Sequence, residues 1–205
     1  MKFIDQLKEK AKQNKKTIVL PETSDMRTIE AAGKVLAEGI ANIILVGDKE
    51  DIMSRAGDID LSGASFVDPK NYEKFDEYVD AFVEMRRKKG MTEARAKELL
   101  LTNPLYFGCM MVKQDDADGM VAGAINASAD VLRAALQTLK TAPGTRIVSA
   151  FFLVVVPDCQ YGANGTFVFA DAGLNQSPSA SELADIAEQS AKSFELLVDE
   201  TPVVA

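Results

Sequence analysis

Short β-branched runs alternate with longer amphipathic ones over about the first 140 residues. That alternation restricts the chain to helices crossing over a largely parallel sheet, the α/β class. Phe3, Ile4, Leu7 and Ala11 recur at helical spacing ahead of a strand at Thr17–Leu20. Asp25 or Ser24 caps a helix carrying Ile29, Ala32, Val35 and Leu36, and Gly39 suits its left-handed stop. Asn42–Val46 reads as a buried strand, Lys49–Arg55 as a short helix and Ala64–Val67 as a third strand closed by Asp68-Pro69. The spacing of Tyr72, Phe75, Val79 and Phe82 predicts a long helix over Tyr72–Lys88. Thr92 opens another through Leu101, and Pro104 a further apolar helix through Met111. Gly119–Gly123 is expected as a strand and Ser128–Lys140 as the helix after it.

The pattern changes after Thr141-Ala-Pro-Gly144. Two strand candidates, Arg146–Val156 and Thr166–Ala170, stand close together across the turn-rich Asp158–Gly165, which predicts a hairpin opening a second domain. The expected division is residues 1–143 and 144–205. Ser179 and Glu182 form a capping-box pair for a helix with Leu183, Ile186, Ser190, Phe194 and Leu197 on one side. Thr201–Ala205 reads as the start of a strand. An apolar end of this kind gives the expectation that the chain is truncated.

Composition removes several functions. A net charge of −8 and a pI near 4.7 argue against nucleic acid as a partner, which would call for a basic face. The longest apolar stretch, Ile147–Pro157, is interrupted by Ser149 and falls well short of the roughly 18 residues of a membrane span. The opening MKFIDQLKEKAKQNKK has no apolar signal core, so a cytoplasmic location without membrane attachment is expected. Histidine is absent, which excludes a His base, triad or metal site within these residues. Cys109 and Cys159 form no CxxC pair and are expected as buried free thiols.

Three places suit an anion, each with a plainer alternative. Pro21–Arg27 follows a strand and opens a helix, where parallel sheets gather ligands, yet the local sequence favours the plainer reading, a capped helix with an exposed Arg27. In Gly123–Arg133 small residues lead into a helix start near Ser128. Its free backbone amides and dipole suit an anion, and Arg133 leans back over that opening. The alternative is a tight turn with a surface arginine. Arg86 continues the apolar stripe of its helix, four residues after Phe82, so it must meet an anion or snorkel past the helix end. Dipole complementation by the run Arg86–Lys89 is the other reading.

None of these spacings names a reaction. The runs LPETSDMR, GDKEDI and GAINASADVLRAALQTLKTAPGTRIVSAFFLVVVPDCQYGANGTFVFADAGL resemble the phosphate acetyltransferase family over the whole chain. The resemblance implies a three-layer α/β/α fold of the isocitrate and isopropylmalate dehydrogenase type. Two domains would face across a cleft, the second incomplete here. It implies transfer of an acetyl group between coenzyme A and inorganic phosphate, by direct thiolate attack on acetyl phosphate in a ternary complex. Neither a metal nor a tightly bound cofactor is implied, and coenzyme A is a substrate. The family's arginines map to Arg86 and Arg133, which would anchor coenzyme A at its 3′-phosphate. Asn126 and Ser128 fall in a possible anion or substrate loop. Asn126, Ala127 and Val131 depart from the family pattern, which leaves that loop's backbone amides rather than its side chains for a ligand. The catalytic serine, arginine and aspartate are expected downstream of Ala205, and a homodimer is expected. The rival readings are transfer of a butyryl group and a non-catalytic module that senses acetyl-CoA.

Overall fold

The computed structural model describes residues 3–205. Four strands, β1 (Thr17–Leu20), β2 (Asn42–Val46), β3 (Ala64–Val67) and β4 (Gly119–Met120), pair in parallel in the order β3-β2-β1-β4. The helices are α1 (Phe3–Gln13), α2 (Met26–Glu38), α3 (Lys49–Ala56), α4 (Phe75–Arg86), α5 (Glu93–Thr102), α6 (Pro104–Lys113) and α7 (Ser128–Thr138). After a hairpin of β5 (Phe151–Val155) and β6 (Thr166–Ala170) comes α8 (Ala180–Val198). The chain forms two compact units: Lys8–Lys140, and Thr141–Ala205 with the start of α1.

In the first unit, side chains alternate across the pleat into two cores. Val19, Ile44 and Val46 pack with α4–α7, whereas Leu20, Ile43 and Leu45 pack with α2 and α3. The sheet is therefore covered on both faces, which is why its strands read as unbroken apolar runs. Helix α6 is buried from Leu105 through Met111, and Gly108 lets it approach Val19 and Met120 closely. Caps fall where the sequence put them. The Asp25 carboxylate accepts from Arg27 N, Gly39 closes α2 at φ 67°, and Thr92 caps α5.

Four expectations shift. The strand expected over Arg146–Val156 forms only at Phe151–Val155, and Arg146 instead pairs with Asp185 on α8. Tyr72 is not helical; it follows a 3-10 turn at Pro69–Asn71, and α4 begins only at Phe75 and gives way to a second 3-10 turn at Arg87–Lys89. The Tyr72 hydroxyl instead donates to Asp116 at 3.2 Å, beside Tyr78, which donates to the same carboxylate while Lys74 pairs with it. Strand β4 is two residues long because Pro21, at the end of β1, has no N–H to extend the ladder beyond Val121 N–Val19 O. Residues 201–205 carry no strand pairing. β-branched composition alone does not make a strand without an edge to join.

In the second unit, β5 and β6 pair antiparallel from Phe151–Ala170 to Val155–Thr166. Ser179 and Glu182 make the expected capping box on α8. Both cysteines are free, but Cys159 is only half-buried, not buried as expected, because it lies in the hairpin turn; Cys109 is buried in the first unit's core, where burial pushes its thiol pKa up.

Candidate functional site

The strand order makes β1 the point where the chain reverses its direction across the sheet: β2 and β3 lie on one side and β4 on the other. Crevices at the carboxyl ends of strands flanking such a point are where open α/β sheets bind ligands. Here the loop after β4 faces the residues after β1, and a protein carboxylate fills the space between them. Glu22 is 2% exposed. Its Oε2 accepts from the amides of Gly123 and Ala124, both at 2.6 Å. Its Oε1 accepts from Ile125 N at 3.2 Å, Asn126 N at 2.9 Å and Asn126 Nδ2 at 2.7 Å. Burial alone would raise this carboxyl's pKa, but the Asn126 side chain and the loop amides outweigh it and hold the group down to about 2.

This corrects the expectation that the loop amides of residues 123–126 are free for a ligand. They belong to Glu22, and so does the Asn126 side chain. Ser128 is exposed at the first position of α7, and the cap position before it, Ala127, supplies no side-chain bond. Arg27 is exposed, as the plain reading of its run expected, but it is not idle. It pairs with Asp25 and donates through Nη2 to the Ala124 carbonyl at 2.5 Å.

The charges of Arg86 and Arg133 both act on a residue that the sequence did not single out, Tyr106. Tyr106 on α6 is 7% exposed, packs edge-on against Phe82, and donates to Gln137 Oε1 at 3.2 Å. Arg86 stands one turn beyond Phe82 on α4, and Arg133 one turn before Gln137 on α7. Burial pushes the Tyr106 hydroxyl's pKa up, while the charges of Arg133 and Arg86 pull it down, so both guanidinium groups lie within electrostatic reach of one phenol. Among the described residues the buried Arg86 Nε has no hydrogen-bond partner. A buried charged donor left unsatisfied is costly, and an oxyanion placed there would satisfy it. Arg133 leans toward the start of its helix, as expected, and holds Asp130 at 2.5 Å while its side chain stays 57% exposed. Tyr106 carried only a weak signal in the sequence, as an aromatic in an all-apolar helix. Glu22 carried one as an acid directly after a buried strand.

The Glu22 bonds give a pH test. A carboxyl at about 2 in the folded chain, against its ordinary 4.5, adds stability that is complete above pH 4.5 and is lost as the pH falls toward 2. Denaturant unfolding of the wild type and of Glu22→Gln, measured from pH 7 to pH 2, should show a gap that is constant down to about pH 4.5 and closes below it. A gap independent of pH over that window would contradict the assignment.

The fold defines an α/β protein with a parallel sheet covered by helices on both faces. The profile of the family described as phosphate acetyl/butaryl transferase matches residues 2–205, and the chain belongs to that family. It is 53% identical over 205 residues to the phosphate acetyltransferase of Acetivibrio thermocellus, covering 100% of this chain and 61% of that protein. Against the phosphate acetyltransferase of Escherichia coli it is 39% identical over 194 residues, 93% of this chain and 26% of the other. Among solved structures it resembles the EutD phosphotransacetylase from Staphylococcus aureus, with a TM-score of 0.85 at 35% identity, over 96% of this chain and 58% of that one. The chain thus spans about 60% of the length of curated relatives that it matches, 61% and 62% of two of them. Among the described residues no helix is long and apolar enough to cross a membrane.

Proposed function

We propose that this chain serves the transfer of an acetyl group between coenzyme A and inorganic phosphate, and that Arg86 and Arg133 hold the coenzyme. In the reaction the coenzyme A sulfur attacks the acetyl carbon of acetyl phosphate. A carbon–sulfur bond forms, the carbon–oxygen bond to phosphorus breaks, and phosphate leaves with the electron pair. A free thiol with a pKa near 8.5 is mostly protonated at neutral pH, so its proton must pass to a base before or during attack. The part assigned to the Lys8–Lys140 unit is binding. The observation that carries this reading is the buried Arg86 Nε, without a hydrogen-bond partner among the described residues, on an arginine whose charge, like that of Arg133, lowers the Tyr106 pKa. Guanidinium suits the task because its planar fork binds phosphate oxygens in pairs and keeps its charge throughout the working pH range. The names of the most similar relatives support acetyl as the acyl group. The family resemblance supports a cytoplasmic homodimer, whose oligomeric state sedimentation of the expressed protein would test.

Calorimetric titration of the chain with coenzyme A tests the binding role. Arg86→Ala and Arg133→Ala should each weaken binding by about 10- to 100-fold, the range for a hydrogen-bonded charged contact. Dephospho-coenzyme A should bind the two variants and the wild type nearly alike, because the group the arginines grip is missing. Unchanged coenzyme A affinity in both variants would refute the assignment. In a catalytically competent longer protein the same changes should raise the KM for coenzyme A more than they lower kcat. Comparing acetyl and butyryl phosphate as substrates of that protein would decide the acyl group.

A further inference from the structure

Loop 123–126 is held on both its polar sides by one short segment. Glu22 takes its N–H groups in five hydrogen bonds, and Arg27 donates to the carbonyl of Ala124. Both residues come from the run Pro21–Arg27, which the binding role of Arg86 and Arg133 leaves unexplained. The loop leads directly into α7, whose cap residue Ala127 contributes no side-chain bond. A helix start without a side-chain cap depends on its lead-in for a fixed entry. The first turn then forms on the Ala127 carbonyl, which accepts from Asp130 N at 2.9 Å and Val131 N at 3.2 Å. Asp130, in that same turn, grips Arg133.

We propose that Glu22, assisted by Arg27, is a positioning residue for the coenzyme A phosphate site: it fixes loop 123–126, hence the first turn of α7, hence the Asp130-held guanidinium of Arg133. This rests on the binding role proposed above. Only a carboxylate serves, because both oxygens face N–H donors. An amide at position 22 would turn its own NH2 group onto two or three of them.

The test uses the full chain, Glu22→Gln and Arg27→Ala, with two probes: coenzyme A and dephospho-coenzyme A, which differ only at the 3′-phosphate. Glu22→Gln should speed amide hydrogen exchange at residues 123–131. It should also weaken coenzyme A binding about tenfold or more while changing dephospho-coenzyme A binding less than about threefold. Arg27 is exposed, so Arg27→Ala should fold normally and show the same pattern with smaller changes; it carries the test if Glu22→Gln does not fold. A purely structural role would weaken both probes alike, and that result overturns the proposal. Faster loop exchange with unchanged coenzyme A affinity also overturns it. A wild-type chain that binds no coenzyme A removes the binding role itself and this inference with it. Wild-type binding that neither variant alters removes this inference alone.

Discussion

Phe82→Ala should destabilise the Lys8–Lys140 unit by about 3–5 kcal/mol, the usual cost of emptying a buried aromatic site. Phe82 is fully buried in the core shared by α4–α7 and lies edge-on to Tyr106, ring centroids 5.8 Å apart. Its neighbours sit on helices that are fixed by their own packing, so the vacated space cannot close by moving a loop. The loss includes the transfer free energy, the cavity and the aromatic contact, the last worth about 0.5–1.5 kcal/mol. Because Phe82 lies one turn before Arg86 on α4 and packs against Tyr106, coenzyme A binding should weaken as well, even where the variant is still folded. Urea unfolding followed by circular dichroism gives the first number, and titration at low denaturant the second. A loss below about 1 kcal/mol would mean that α4 and α6 do not pack through this pair. Phe82→Leu, which keeps most of the volume, should recover much of both.

In the other unit the largest effect is expected at Gly165→Ala. Gly165 has φ +85°, and a Cβ added there would run into the carbonyl oxygen of Val156, closer than real Cβ atoms approach anything. The neighbour is backbone, and the same pair closes the hairpin: Val156 N donates to Gly165 O at 2.8 Å. No side-chain rotation relieves such a contact, so β5 and β6 must part at their turn end. Left-handed strain and steric overlap together give roughly 2–5 kcal/mol. Gly90→Ala is the control. Its φ is +76° but nothing lies within 4 Å of the added Cβ, so only the backbone cost of about 1 kcal/mol applies. Hydrogen exchange at the amides of β5 and thermal melting distinguish the two. Equal, small losses at both positions would show that the turn has room that the geometry denies it.

The strands β1, β2 and β3, the Asp25 and Thr92 caps, the Gly39 stop and the Ser179–Glu182 capping box were all legible in the sequence. Each depends on groups within a few residues of one another, or on an apolar run whose burial any α/β packing would require. Arg86 and Arg133 stood out for the same kind of reason, one ending an apolar stripe and the other leaning over a helix opening. What they converge on did not. Tyr106 is 20 residues from one and 27 from the other by residue number, and the packing of α4, α6 and α7 brings the three together. Tyr72 fitted the helical spacing of α4 but was drawn out of the helix toward Asp116, 44 residues away, because a shared carboxylate offers its hydroxyl a partner. The loop amides looked open to a ligand because a helix start in isolation leaves them unpaired. Glu22 lies 101 residues before Gly123, and only the pairing of β4 beside β1 brings its carboxylate to those amides. A sequence fixes which groups need partners; which distant group meets that need is decided by the strand order.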